Sequence, residues 1–200
     1  MHYIIDPPHV LQADVNLPAS KSISNRALII QALTPGAPTP FNLSDCDDTR
    51  VLKDALRLLP SHIDIGPAGT AMRFLTAYLA ITPGEHTLTG SERMRQRPIG
   101  QLVDALRLLG AEIAYEGEEG FPPLRITGKP IMGGTIEMAG DISSQFVTAL
   151  LLIAPVMEKG LTLHLQGRII SRPYIDMTLQ VMRSYGADVE WMDQSAITVR

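Results

Sequence analysis

Lys21 and Arg26 bracket the run Ser20-Lys21-Ser22-Ile23-Ser24-Asn25-Arg26, which packs two cations, three hydroxyls and an amide into seven residues. The run leads directly into Ala27-Leu28-Ile29-Ile30-Gln31-Ala32-Leu33, which reads as a buried helix. A helix start presents unpaired backbone N–H groups and the positive end of the macrodipole. Cations placed there make a site for an anion such as a phosphate or a carboxylate.

The arrangement recurs twice. Ala68-Gly69-Thr70-Ala71-Met72-Arg73 opens Phe74-Leu75-Thr76-Ala77-Tyr78-Leu79-Ala80, and Ser143-Ser144-Gln145 opens Phe146-Val147-Thr148-Ala149-Leu150-Leu151-Leu152. Each expected helix stops near Pro or Gly, at Pro35-Gly36, Pro83-Gly84 and Pro155 with Gly160. Each is followed by a run with the two-residue period of a half-buried strand: Phe41-Asn42-Leu43, His86-Thr87-Leu88-Thr89 and Leu161-Thr162-Leu163-His164-Leu165.

A second helix follows in each copy. Asp54-Ala55-Leu56-Arg57-Leu58-Leu59 returns letter for letter as Asp104-Ala105-Leu106-Arg107-Leu108-Leu109, and Leu179-Gln180-Val181-Met182-Arg183-Ser184-Tyr185 is a looser third version. Gly110-Ala111-Glu112-Ile113 and Gly186-Ala187-Asp188-Val189 then supply a left-handed stop and the start of a strand. Strands are also expected over Val10–Leu17, Glu112–Tyr115, Leu124–Thr127, Thr135–Met138 and Ala196–Arg200, the last closing the third repeat. The repeats are too unequal in length for a solenoid.

Other groups able to do chemistry are few. Asp45, Asp47 and Asp48 precede the helix around Val51-Leu52, where capping and dipole pairing explain them. Arg93, Arg95 and Arg97 are spaced two apart, so an extended backbone would align all three beside an anion. Pro98 favours extended geometry at Arg97. Cys46 has no His near it in sequence and reads as a small core residue. The five His are scattered without metal-ligand spacing, so no metal is expected.

Composition narrows the function classes. The 200 residues suffice for a sizeable core, which at 45% hydrophobic but 5% aromatic must be mainly aliphatic. A net charge of −4 gives no surface for nucleic acid, so the cations at helix starts point to small anions. The single cysteine excludes an intramolecular disulfide framework and fits the cytoplasm. Residues 1–10 do not read as a secretory signal, and no apolar run is long enough to span a membrane. A phosphate-binding loop of the Gly-x-x-x-x-Gly-Lys-Ser/Thr type does not occur.

Taken in order, Ser20–Arg26, Ala68–Arg73, Arg97-Pro98-Ile99-Gly100, Ser143–Phe146 and Ser171-Arg172-Pro173-Tyr174-Ile175-Asp176 resemble the 5-enolpyruvylshikimate-3-phosphate (EPSP) synthase family. The resemblance runs from about Val15 to the end. It implies an α/β (α+β), pseudo-threefold domain of three βαβαββ units, one half of the two-domain enolpyruvyl transferase fold. The units fall near 19–66, 67–140 and 141–200. Residues 1–18 would be an initial strand belonging to the second domain.

The family joins the 5-hydroxyl of shikimate 3-phosphate to C2 of phosphoenolpyruvate and expels phosphate, without a cofactor. Carried over to matching positions, Lys21 contacts both substrates, and Ser22 and Arg26 hold shikimate 3-phosphate. Gly69 lets the phosphoenolpyruvate phosphate reach the backbone, and Arg97 pairs with phosphoenolpyruvate. Ser143 and Ser144 bind the shikimate phosphate, Gln145 reaches both substrates, and Ser171 and Tyr174 complete the shikimate side.

Three departures qualify the likeness. Family members are about twice this length, and their catalytic acidic residue and further Lys and Arg ligands lie in the second half. The chain therefore reads as an N-terminal half, expected to bind shikimate 3-phosphate weakly and to be inactive without its C-terminal partner domain. Ser61–Ile65 stands where the family has a longer hairpin. Pro67 and Phe74 replace a common Asn and a common Pro beside the Ala-Gly-Thr motif. Two other readings are a UDP-N-acetylglucosamine enolpyruvyl transferase and a non-catalytic anion-binding module. The first uses a Lys-Asn opening and a loop cysteine, for which Cys46 has neither context nor spacing.

Overall fold

The computed structural model describes residues 3–4, 6–7, 10 and 12–200. In chain order the elements are helices α1 (Lys21–Leu33) and α2 (Asp47–Leu58), strand β1 (His62–Asp64), α3 (Gly69–Ile81), β2 (Gly84–Thr89), the one-turn α4 (Glu92–Arg95) and α5 (Gly100–Leu108). Then come β3 (Glu112–Tyr115), β4 (Leu124–Gly128), β5 (Gly134–Ala139), α6 (Ser144–Ile153), β6 (Leu161–Gln166), α7 (Arg172–Ser184), β7 (Val189–Trp191) and β8 (Ala196–Val199).

Burial separates the helices into two kinds. α3 is buried at every position but its last, and α6 from Phe146 onward. A helix that is apolar all round must be enclosed by protein on all sides. α2, α5 and α7 bury only one stripe each, for example Thr49, Leu52 and Ala55 in α2. The packing follows from this. α1, α3 and α6 touch one another at the centre, and the amphipathic helices close the three gaps. α2 sits against α1 and α3, α5 against α3 and α6, and α7 against α6 and α1.

Two four-stranded sheets lie outside this ring, ordered β1-β2-β4-β3 and β5-β6-β8-β7. Their registers match element for element. β1 runs parallel to β2 (Ile63 beside Leu88), and β5 parallel to β6 (Ile136 beside Leu163). β2 and β3 are antiparallel to β4, as β6 and β7 are to β8. Parallel neighbours need a crossover, and α3 and α6 supply it. Residues 62–128 and 134–199 are thus two complete βαβαββ units with one topology.

The first helix pair carries no such sheet among the described residues. Phe41–Leu43, expected as a strand, is a bend: Asn42 has φ 53° and Phe41 is 94% exposed, and Leu43 alone of its apolar residues packs against the core. Of the strand expected over Val10–Leu17, Leu11 lies outside the described residues, and the others form neither helix nor strand. The repeated hexapeptide also ends differently in its two copies. In α5 the left-handed residue is Gly110 (φ 103°), whereas in α2 Leu59 itself takes φ 39°, just before Pro60. Pro60 disfavours further helix, and the exit leads straight to the three-residue β1.

Candidate functional site

The helix packing brings the starts of α1, α3, α6 and α7 together. Gln145 Nε2, in the first turn of α6, donates to Thr70 Oγ1 in the first turn of α3 at 3.4 Å. Arg26 Nη2 donates to Thr148 Oγ1 on α6 at 3.2 Å, and Nε to Thr178 Oγ1 on α7 at 2.8 Å. Of the ten expected site residues, Lys21, Ser22, Arg26, Gly69, Ser143, Ser144, Gln145, Ser171 and Tyr174 lie on or next to these starts. Arg97 reaches the same place from the loop after α4.

The caps differ in a way that matters for an anion. Ser20 Oγ accepts from Ile23 N at 3.4 Å, and Ser143 Oγ accepts from Gln145 N at 3.3 Å. Ala68 and Ser171 make no side-chain cap bond, so the first-turn amides of α3 and α7 are not covered by a capping group. Lys21 Nζ lies 3.4 Å from Asp48 Oδ2, linking the starts of α1 and α2. Asp48 was expected only as a dipole partner within its own helix. The structure adds this ion pair, and the α2 cap is Cys46, whose side chain meets Thr49 Oγ1 at 3.4 Å but makes no capping bond to a first-turn amide.

Arg26 is almost fully buried, at 4% exposure. Besides Thr148 and Thr178 it donates to the carbonyls of Ser22 (2.8 Å) and Tyr174 (3.2 Å). The Phe74 ring lies 5.7 Å away. These partners are all neutral. Burial pushes the guanidinium down to about 10, against a smaller upward pull from Tyr174. Arg26 therefore ties α1 to α6 and α7 as well as placing positive charge under the site.

Arg73 repeats the device one unit along. It is 4% exposed, stands 5.8 Å from the Phe146 ring, and donates to the carbonyls of Gly69 (3.3 Å) and Pro98 (3.0 Å). Burial, and then the charge of Arg97, push it down to about 10. Two buried guanidinium groups hydrogen-bonded only to uncharged groups leave positive potential to be balanced from outside the chain.

The arginine loop corrects the sequence reading. Ser91 Oγ accepts from Met94 N at 3.3 Å and starts the helical turn of α4, so the segment is not extended. Arg93 sits on that turn, and Arg97, just past its C-cap, is drawn back by its N–H to the Met94 carbonyl at 3.0 Å. Arg93 and Arg97, with Pro67, Ser91 and Met94, line a hollow of about 570 Å³, and Arg95 is not among its walls. The Arg97 guanidinium lies over Gly69, where an added Cβ would come within 2.5 Å of Nη1. Glycine at 69 thus makes room first for Arg97.

Residue types alone did not single out Arg73, Thr148 or Thr178 as parts of the site. A signal existed for the threonines, since both are fully buried polar residues in otherwise apolar helix stripes. Among the described residues no cluster of three or more His, Cys, Asp or Glu is placed to hold a metal ion, and no helix is long and apolar enough to cross a membrane.

Comparison with known proteins follows the same lines. The family model for EPSP synthase (3-phosphoshikimate 1-carboxyvinyltransferase) matches residues 5–66 and 59–200. The two stretches overlap across β1, the short strand that departs from the family's longer hairpin. A 3-phosphoshikimate 1-carboxyvinyltransferase of Bacteroides fragilis is 57% identical over 199 residues, covering 100% of this chain and 48% of the relative. One from Shewanella halifaxensis is 41% identical over 222 residues, covering 98% of this chain and 52% of its own length. An EPSP synthase structure from Acinetobacter baumannii superposes with a TM-score of 0.80 at 24% identity, over 92% of this chain and 46% of that one. The chain spans about half the length of the curated relatives it matches.

Proposed function

The chain belongs to the EPSP synthase family, and from that premise we propose that it forms one wall of a two-walled site transferring the enolpyruvyl group of phosphoenolpyruvate to the 5-hydroxyl of shikimate 3-phosphate. The observation that carries the reading is the meeting of four helix starts above two buried guanidinium groups hydrogen-bonded only to uncharged groups. The two substrates bring two phosphates and two carboxylates. Preorganised N–H dipoles and cations are a physically sound way to hold that charge while a phosphate leaves.

In this proposal Ser22, Arg26, Ser143, Ser144, Ser171 and Tyr174 hold shikimate 3-phosphate. Gly69 and Arg97 hold phosphoenolpyruvate, and Lys21 and Gln145 reach both. Arg26 spends its bonded donors on protein, so it contributes mostly through charge and by fixing Ser22 and Tyr174. Lys21 is the half-exposed cation at the start of α1. Asp48, the carboxylate beside Lys21, gives its Oδ2 to that ion pair. The catalytic acid or base and the opposite wall would come from a second domain, to which residues 1–18 would also belong, and the reaction would run in the cytoplasm.

Calorimetric titration of the chain with shikimate 3-phosphate, with and without phosphoenolpyruvate, tests the reading. Saturable binding that phosphoenolpyruvate strengthens is expected. Heats no larger than those with plain inorganic phosphate would sink it.

A further inference from the structure

Arg73 spends every hydrogen bond it makes on the surroundings of one other residue. Its Nη1 donates to the carbonyl of Gly69, the residue beneath the Arg97 guanidinium, and its Nη2 to the carbonyl of Pro98, the residue after Arg97. Nη1 also lies 3.3 Å from Met94 Sδ, at the floor of the hollow that Arg97 lines. Arg97 N in turn donates to the Met94 carbonyl at 3.0 Å. A planar fork of fixed geometry thus spans the start of α3 and the loop bearing Arg97.

Two like charges held this close repel, and no carboxylate bonds to Arg73 to offset them. What holds the loop down is the bond to the Pro98 carbonyl, with Met94 Sδ beside it, while the Gly69 carbonyl, one turn back on Arg73's own helix, fixes the guanidinium that makes them. The far side of Arg73 is closed by the Phe146 ring, so the guanidinium cannot swing to another partner without vacating the core.

We propose that Arg73 is a positioning residue for Arg97: it clamps the Arg97 loop onto the first turn of α3, so that the Arg97 guanidinium is held over Gly69 ready for an anionic ligand group. The positioning itself is independent of the ligand. Naming that ligand as phosphoenolpyruvate rests on the function proposed above. Lysine keeps the charge but cannot bridge two carbonyls set apart by the fork, and methionine removes both charge and donors.

The test is arginine-selective labelling of the chain with a phenylglyoxal reagent, read residue by residue by mass spectrometry, in wild type, Arg73→Lys and Arg73→Met. Releasing a clamp of one or two hydrogen bonds should speed labelling at Arg97 about fivefold or more. Arg95, at the end of α4 and exposed as Arg97 is, and Arg172, stacked on Trp191, should hold their wild-type rates in the milder Arg73→Lys. Arg97 rates that stay level, or that rise only in step with Arg95 and Arg172 as in general loosening, overturn the proposal. In the wild type, phosphoenolpyruvate should protect Arg97 from the reagent, and this protection should need about tenfold more ligand in the variants, with shikimate 3-phosphate binding kept within about twofold. Selective release of Arg97 without protection in the wild type would leave the positioning role standing and overturn the substrate assignment instead.

Discussion

Arg26 Nε donates to Thr178 Oγ1 at 2.8 Å, joining the first helix to the last across 152 residues of chain. The bond sits where burial is nearly complete, and the same guanidinium also reaches Thr148 and two carbonyls. Replacing Arg26 with alanine removes all four contacts and leaves the Ser22 carbonyl without this donor. The loss should be about 2–4 kcal/mol, the range for breaking a buried hydrogen-bonded network. Urea unfolding of Arg26→Ala measures it. Arg26→Lys should recover only part, because an ammonium cannot serve the fork.

Gly69→Ala probes the phosphoenolpyruvate side alone. The new methyl meets the Arg97 guanidinium, which can swing away, so the fold survives. Affinity for phosphoenolpyruvate should fall at least about tenfold, near 1.4 kcal/mol, while shikimate 3-phosphate is held as before. Parallel titrations with the two substrates separate these outcomes, and equal losses for both would place Gly69 at a shared site.

Lys21 is the exposed cation at the helix starts, so its removal should act on binding and hardly on folding. Lys21→Ala should weaken shikimate 3-phosphate by about 1.5–3 kcal/mol, the worth of a charge-assisted contact. Raising salt should shrink the difference between wild type and variant. Asp48→Asn frees Lys21 from its partner and should tighten binding of the anion slightly. Calorimetry over a salt series checks all three.

The single wall should not turn over. Proximity and water exclusion need a second surface around the reacting carbon. A sensitive phosphate-release assay on the purified chain should stay at background. Activity that co-purifies with the protein and vanishes in Lys21→Ala would prove the wall sufficient.

Much of this was legible from residues. The helix starts at Lys21, Gly69 and Ser144 follow from polar clusters opening apolar runs, and β2, β4, β5, β6 and β8 follow from alternation. The ring of six helices follows from the duplicated hexapeptide and its looser third copy. The failures share a cause. Phe41–Leu43 alternates and Leu43 packs against the core, but no strand lies beside it among the described residues, and periodicity cannot report a missing partner. Arg93–Arg97 fits an extended segment by spacing, yet the Ser91 cap starts a helical turn that takes in Arg93 and Arg95 and ends before Arg97. Thr148 and Thr178 matter through contacts to Arg26 in another unit, and Arg73 through Met94 and Pro98 more than twenty residues along its own unit, which no local pattern contains.

The first helix pair, having no sheet of its own among the described residues, borrows its stability from α3, α6 and α7. On the proposed assignment, docking of α1 and occupancy of the site are thermodynamically linked, since the contacts proposed for Lys21 and Ser22 need α1 seated. A change that loosens the seat acts on affinity from a distance. Thr178→Val, fully buried and expected to touch no ligand, should raise amide hydrogen exchange in α1 more than in either sheet. Shikimate 3-phosphate would bind that variant more weakly and, once bound, would restore the lost protection.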